Sequence, residues 1–584
     1  MRFRVIVYLF FWLLSNCIFG QTKLFEGYVF DAETKIPLAY ANIRIGNSSM
    51  GTISNKNGYF KLNDISNSKL ILISYIGYSL KYISTDTFVN NSIVFLEQNA
   101  IMLDEISIIA DDRYLYEIFN NCREKFIKNK LVQKAKVYCE LETYKDDLLT
   151  ELMECYYNAD FSGCELDDLK IKTGRVGLRP IDNGLFISTE TSKVILFNVL
   201  SKEDGRFPLN PFQLSEKKLK KLYRLFLIDR NDNDSLPYII IGFKPKDTTN
   251  NIFAGQVMIH TKTNNPINIS FKRKMYSNFP VHSLLPDNKM NCLDLEITRT
   301  FEEIEGILYF KYISFKYKAN IQTRFITNTN ISTNAVLYTY NYRDVFELPR
   351  FDFGETDLAY SDYLRINGIP YDSTFWNNNN EFKLNDRVDY ISNYFNDNIV
   401  IKNPRLFDQK NMGGLAVLQF PFVTWSRNRV AINKFIVNDN PRSSVNGVVK
   451  SDLYNFNIQI FLDKNLIHDS LVLNTATVFS PYGSYYKLPI DTTTLCFINI
   501  YFDLVEIERL KLLEEINNAH KSFVEIDELY DLTVAKLNLI RKRYFKEVER
   551  GTNIESLYKW NLYVLNNLNV DNFKIFKYAF LNKN

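Results

Sequence analysis

The chain of 584 residues is longer than one hydrophobic core serves, and with 46% apolar and 23% charged residues it has the composition of a folded protein, not a disordered one. Its 70 basic and 67 acidic side chains interleave to a net charge of +3, which excludes a polyanion-binding field and, with it, nucleic acid as a partner. The aromatic share of 15%, carried by 45 Phe and 37 Tyr, favours β structure, where rings fit a pleated surface.

Residues 1–20 read as an export signal: Arg2 and Arg4, the apolar run VIVYLFFWLL, then SNCIFG ahead of Gln21. The run is too short for a spanning helix of about 20 residues, so cleavage after Gly20 is expected. Lipidation at Cys17 is the alternative, although Asn16 stands where a small residue is normally required. No later stretch reaches spanning length. The mature chain is therefore expected to be exported without a transmembrane segment, to the periplasm, the outer membrane's periphery or the cell surface.

Residues 21–110 alternate short apolar runs with turn residues: FEGYVFD, ANIRI, GTISN, GYFKL, LILISYI and SIVFL. Such runs predict an antiparallel β-sandwich, with Asn57-Gly58 suited to a tight hairpin turn because both positions tolerate positive φ. Gly27-Tyr28-Val29-Phe30-Asp31, Pro37-Leu38-Ala39-Tyr40-Ala41-Asn42-Ile43, Gly51-Thr52, Asn57-Gly58-Tyr59-Phe60 and Ser74-Tyr75-Ile76-Gly77-Tyr78 follow in an order and spacing that resembles the carboxypeptidase regulatory-like domain. The resemblance implies a seven-stranded transthyretin-type sandwich without catalytic residues, used for docking or folding in envelope proteins of Gram-negative bacteria. LDEISIIA at 103–110 resembles the family's last strand, which in receptors leads to a plug and barrel. Here a different sequence follows, so uptake is not implied.

Residues 111–130 carry Tyr114, Leu115, Ile118, Phe119, Cys122, Phe126 and Ile127 at helical spacing, with Asp111 and Asp112 placed to cap. Strand-like runs then continue to 350, from KVYCELETY and LLTELMECYYNADF to CLDLEITRTF and LYFKYISFKY, and predict a large antiparallel sheet or half-barrel. A helix is expected over 214–226, with Lys217, Lys218, Lys220, Lys221 and Arg224 around Leu219, Leu222, Tyr223 and Phe226. A solvated face explains these cations better than membrane attachment. A curved sheet around a helix resembles, in architecture alone, the lipoprotein-carrier half-barrel that shelters acyl chains.

Residues 351–400, rich in Asn and Asp, read as an irregular connection or exposed loops. A second β region is expected over 401–503, ending in CFINIYFDL, and a helical region over 504–584, with Leu504, Ile507, Leu510, Leu513 and Ile516 on one face. The predicted fold class is thus mainly β with a helical C-terminal region.

No catalytic, cofactor-binding or metal-ligating residue is assigned. Gly-x-Ser-x-Gly, a phosphate loop and His-Glu-x-x-His do not occur, and His260, His282, His468 and His520 are scattered. Glu515 and His520 lie five apart, off the shared helical face that a metal needs. Asp229, Asp232 and Asp234 lack the Gly and Glu of a calcium loop. The pairs Asp167-Asp168 and Glu302-Glu303 are the kind that any chain with 67 acidic residues contains. Cys122, Cys139, Cys155, Cys164, Cys292 and Cys496 are expected as buried thiols, with one bridge within Cys139, Cys155 and Cys164 as the alternative. The expected function is non-enzymatic envelope binding or assembly, the partner being an envelope protein and possible further ligands a lipid or glycan. The alternatives are a secreted hydrolase with a nonstandard carboxylate site and a lipid-binding outer-membrane-associated subunit.

Overall fold

A computed structural model describes residues 23–578 apart from 46–50, 56, 65–69, 76–77, 99–112, 147, 179–196, 201–206, 233–236, 248–250, 277–288, 305, 323–328, 343, 352–364, 367, 371, 379–421, 427–452, 468–469, 488 and 519–521. The signal, Cys17, the capping residues Asp111 and Asp112, and LDEISIIA lie outside the described residues.

Seven short strands open the fold: β1 (Lys23–Asp31), β2 (Asn42–Ile45), β3 (Gly51–Ile53), β4 (Tyr59–Asp64), β5 (Leu70–Ser74), β6 (Lys81–Ser84) and β7 (Ser92–Leu96). They form two sheets, β4-β1-β7 and β3-β2-β5-β6, closed on Phe25, Val29, Ile43, Phe60, Ile71 and Ile73. The expected seven-stranded sandwich is present. Asn57-Gly58 does not make a hairpin, however, because β3 and β4 belong to different sheets. Gly58 takes φ +76°, and a Cβ there would lie 2.4 Å from the Val29 carbonyl oxygen, so the glycine serves a crossing between sheets.

After helix α1 (Arg113–Lys128) come β8 (Val132–Lys145), β9 (Leu148–Ser162) and β10 (Glu165–Leu178), then the short helix α2 (Glu216–Leu222). Seven further strands follow: β11 (Tyr223–Asn231), β12 (Tyr238–Pro245), β13 (Ala254–His260), β14 (Pro266–Tyr276), β15 (Lys289–Ile304), β16 (Ile307–Gln322) and β17 (Thr329–Asn341). The ten strands make one antiparallel sheet in the order β10-β9-β8-β17-β16-β15-β14-β13-β12-β11. Leu115, Phe119, Cys122 and Phe126, spaced one turn apart, lay α1 on one face of this sheet. Phe119 meets Phe212 at 4.9 Å and Phe126 meets Phe301 at 5.4 Å between ring centroids.

The helix expected over 214–226 stops at Leu222, and from Tyr223 the chain is strand. Tyr223 and Leu225 turn into the core and Arg224 points out, a period of two that pairing with β12 imposes over the local helical propensity. Lys220 pairs with Glu216 at 2.6 Å, and both are half exposed.

The connection contributes α3 (Ser373–Asn378), whose Phe375 is buried, as are Arg365, Ile366 and Ile369; its described pieces pack instead of forming exposed loops. β18 (Val423–Thr424), β19 (Tyr454–Ile467) and β20 (Ser470–Tyr486) form a second sheet, ordered β18-β20-β19. Four helices cover it: α4 (Thr492–Asn517), α5 (Phe523–Val548), α6 (Ile554–Leu568) and α7 (Asn572–Ile575). CFINIYFDL, expected as a last strand, is the first half of α4. That helix begins where the Asp491 side chain accepts the Thr494 N–H at 2.7 Å. Residues 496–508 are buried on every side, so no solvent-exposed face marks the helical period, and polar positions Asn499, Asp503 and Glu506 are themselves enclosed. Leu504, Ile507 and Ile516 are buried as expected, whereas Leu510 is exposed.

Phe461 and Val478 belong to the same core as the ten-stranded sheet, and the backbones of Arg350 and Leu462 exchange hydrogen bonds of 2.8 and 3.2 Å. The second β unit therefore packs on the first. Cys122, Cys139, Cys155, Cys164 and Cys496 are buried thiols, and no bridge joins Cys139, Cys155 and Cys164. Among the described residues, no helix is long and apolar enough to cross a membrane.

Candidate binding cleft

Alternation along each strand divides the ten-stranded sheet into two faces. Ile239, Ile241 and Phe243 of β12, Val257 and Ile259 of β13, and Ile269 and Phe271 of β14 join the core beneath α1. Along these strands the chain's own aliphatic side chains and rings fill this face, with Phe119 of α1 against Phe212 and Phe243. The intervening residues face the other way, and the N-terminal sandwich sits on that side. Ile53 is buried against Tyr312, Val336 and Tyr338. Tyr40 takes φ 65°, a left-handed conformation unusual for a side-chain-bearing residue, and its hydroxyl donates to Glu140 Oε1 at 3.1 Å. Asn231 Nδ2 donates to the Tyr82 hydroxyl at 3.3 Å.

Between the two units lies a cleft of about 240 Å³. Tyr75, Tyr78 and Leu80 contribute one wall, and Phe226, Ile240 and Met258 the other. Gly242, on the strand beside the lining residue Phe226, makes room for that ring. A Cβ there would fall 2.3 Å from Phe226 Cζ, so only a bare position lets that ring lie flat across the neighbouring strand. Tyr75 and Tyr78 meet edge to face at 5.2 Å. Burial, with Glu296 nearby, pushes the Tyr75 hydroxyl up to about 12. Burial raises Tyr78 to about 12 as well, and its hydroxyl donates to Asp31 at 2.5 Å.

Lys272, 3.1 Å from Glu296, is the one charged residue among the described lining. Two polar wall atoms, Asn42 Oδ1 and Ser270 Oγ, have no hydrogen-bond partner among the described residues, although Asn42 is only 6% exposed and Ser270 fully buried.

The acidic candidates from the sequence are dispersed. Asp229 accepts from the Tyr238 hydroxyl at 2.9 Å, Asp232 pairs with Arg230 at 2.9 Å, and Asp234 lies outside the described residues. Asp168 accepts the Leu169 N–H at 2.9 Å, and Asp167 accepts from Ser162. Glu302 is buried with Lys311 at 2.9 Å, while Glu303 accepts from Thr263 Oγ1 and Asn265 Nδ2 at 3.0 and 2.7 Å. Glu514 and Glu515 are exposed at the end of α4. His260 contacts the Thr263 N–H through Nδ1 at 3.2 Å, and burial lowers its pKa; His282, His468 and His520 lie outside the described residues. No group of three or more metal-ligating side chains occurs among the described residues.

Two buried ionic clusters escaped the sequence reading. Glu140 and Glu154 stand opposite each other on β8 and β9, the single Tyr138 hydroxyl lies within hydrogen-bond distance of both, and Arg175 Nε reaches Glu154 at 2.7 Å. Lys172 donates to Asp463 and, at 2.6 Å, to the Glu347 carbonyl. Glu140 and Glu142 of YCELET, two apart, share a strand face, whereas Glu151 and Glu154 of ELMECYY, three apart, do not, and neither spacing shows that Glu140 and Glu154 stand opposite each other under cover. Each carboxylate is held by hydrogen bonds within the fold, an arrangement suited to fastening elements together.

Residues 25–108 match the family model of the CarboxypepD_reg-like domain. The regulatory-like domain is thus the unit that forms one wall of the cleft. No curated protein sequence matches the chain. Solved structures similar to part of it include a putative outer membrane lipoprotein-sorting protein domain from Vibrio parahaemolyticus, at 12% identity over 40% of this chain and 94% of that one, TM-score 0.18. A LolA superfamily protein from Nitrosomonas europaea aligns at 10% identity over 39% and 93%, TM-score 0.15. MucB of Pseudomonas aeruginosa, in complex with MucA, aligns at 10% identity over 38% and 93%, TM-score 0.13.

Proposed function

We propose that this protein is a non-enzymatic binding or assembly factor of the Gram-negative cell envelope, and that its regulatory-like domain and ten-stranded sheet bind a partner together. The observation that carries the reading is the cleft that neither unit forms alone, lined by Tyr75, Tyr78 and Leu80 from one and Phe226, Ile240 and Met258 from the other. Sites of this kind favour interfaces between domains and combine an apolar lining with a few polar groups. The export signal read from residues 1–20 supports the location, and the rings packed beneath α1 favour a protein partner over an acyl chain held inside the sheet.

The test is affinity isolation from gently solubilised envelopes, with the full chain and with Ile240→Trp, which fills the cleft. Capture of a defined protein by the first and its loss with the second supports the reading. Equal capture by both removes the cleft from it.

A further inference from the structure

We infer that the solvent-facing side of α5 is a seam for a second copy of this chain, so that two molecules pair through antiparallel α5 helices about a two-fold axis near Ala535. The inference is independent of the cleft and goes beyond the binding role proposed above. α5 buries Ile526, Tyr530, Leu537 and Tyr544 on one side. On the opposite side Leu532 and Leu539 are each 67% exposed, so they contribute nothing to the chain's own core. With Ala535 between them they form the apolar middle of a stripe stepped by three and four residues. Glu525 and Glu528 continue the stripe toward the start of the helix, Lys542 and Lys546 toward its end, and all four are exposed. This is the heptad spacing of helices that pair side by side, kept up for about 30 Å.

The order of charges names the occupant. A stripe that is acidic at one end and basic at the other complements itself when reversed. In an antiparallel second copy Leu532 meets Leu539, Glu528 meets Lys542 and Glu525 meets Lys546, and the two-fold axis repeats each pair. A parallel copy sets like charges opposite one another, and an anionic lipid surface attracts the basic half while repelling the acidic half. Glu528, Lys542 and Lys546 make no hydrogen bond or ion pair among the described residues, so their charges are open to a partner. Lys536, beside the axis, meets its own copy, but Glu508 of α4 already pairs with it at 2.6 Å. The small side chain of Ala535 at the centre lets the two helix axes come close.

Analytical ultracentrifugation of the protein purified after export tests this. One helix pair is at the small end of specific interfaces, so a dimer with a dissociation constant on the order of micromolar is expected, weakening as salt is added. Leu532→Ser, Glu528→Lys and Lys542→Glu change solvated positions, and each should weaken the dimer by about tenfold or more while leaving the thermal melt unchanged. The double variant Glu528→Lys with Lys542→Glu exchanges the two signs and should return to within about threefold of the native protein. A protein that stays monomeric to its highest soluble concentration overturns the inference. So does a dimer indifferent to Leu532→Ser, or a double variant no tighter than either single one. Monomers that sediment with phosphatidylglycerol vesicles, and lose this with Leu532→Ser, would assign the face to a membrane surface and equally overturn it.

Discussion

Lys172 on β10 and Asp463 on β19, 291 positions apart, form an ion pair withdrawn from solvent that ties the ten-stranded sheet to the second β unit. Burial alone lowers the Lys172 pKa, and burial pushes Asp463 up to about 7 even beside the ammonium group. Removing one partner leaves the other as an uncompensated buried charge. Lys172→Met is therefore expected to cost about 3–5 kcal/mol, and the double variant with Asp463→Leu to regain most of it. Urea denaturation of the three proteins measures both values; additive losses in the double variant would contradict a coupled pair.

The seat of the regulatory-like domain depends on Ile53, which is buried against Tyr312, Val336 and Tyr338. Ile53→Asp places a charge in that contact, where Lys311, 5.3 Å from the Tyr338 ring centroid, is already paired with Glu302. The expected outcome is a larger radius of gyration in small-angle scattering and faster proteolysis after the domain, with the far-ultraviolet spectrum retained. An unchanged radius would mean that other contacts hold the seat.

Acid should weaken the regulatory-like domain through Asp31. Its carboxylate accepts from the Tyr78 hydroxyl, the Thr34 N–H and Gln98 Nε2, which hold its pKa well below the ordinary 3.8. A depressed folded pKa gives stability that is present above the unfolded value and lost as pH falls through the folded one. The urea-midpoint difference between the native protein and Asp31→Asn should then be constant between about pH 7 and pH 5 and narrow below about pH 4. A difference that widens in acid would reverse the assigned sign.

Phe119 lies at the centre of the packing beneath α1, in contact with Phe212 and Phe243. Phe119→Ala leaves a cavity among rings that cannot collapse into it and should cost about 3–5 kcal/mol. Calorimetry would register the loss in the transition that includes the ten-stranded sheet.

Local signals wrote much of this fold into the chain. The alternating runs of the sandwich and the Leu115, Phe119, Cys122, Phe126 stripe carry their own periods, and these elements formed where the pattern places them. Patterns failed where surroundings decide. Residues 496–504 are mostly apolar and buried all round, with only Asn499 and Asp503 polar, because α4 is enclosed on all sides, and such a helix has nearly the composition of a buried strand. Tyr223 continues a helical pattern in sequence but pairs opposite Pro245, and ladder hydrogen bonds outweigh a weak propensity.

The regulatory-like sandwich was legible from short, ordered motifs alone, since turn glycines and alternating strands act within a few residues of themselves. What surrounds the sandwich was not legible. The chain's own sequence determined that residues 23–96 fold as a seven-stranded unit, whereas only the tertiary structure decided that Ile53 and Tyr40 seat it on the outer face of a ten-stranded sheet and that Tyr75 comes to face Phe226 across a cleft. Those contacts join residues 100 or more positions apart, and their free energy comes from burying two complementary surfaces, a property of the pair that neither segment carries in its own pattern.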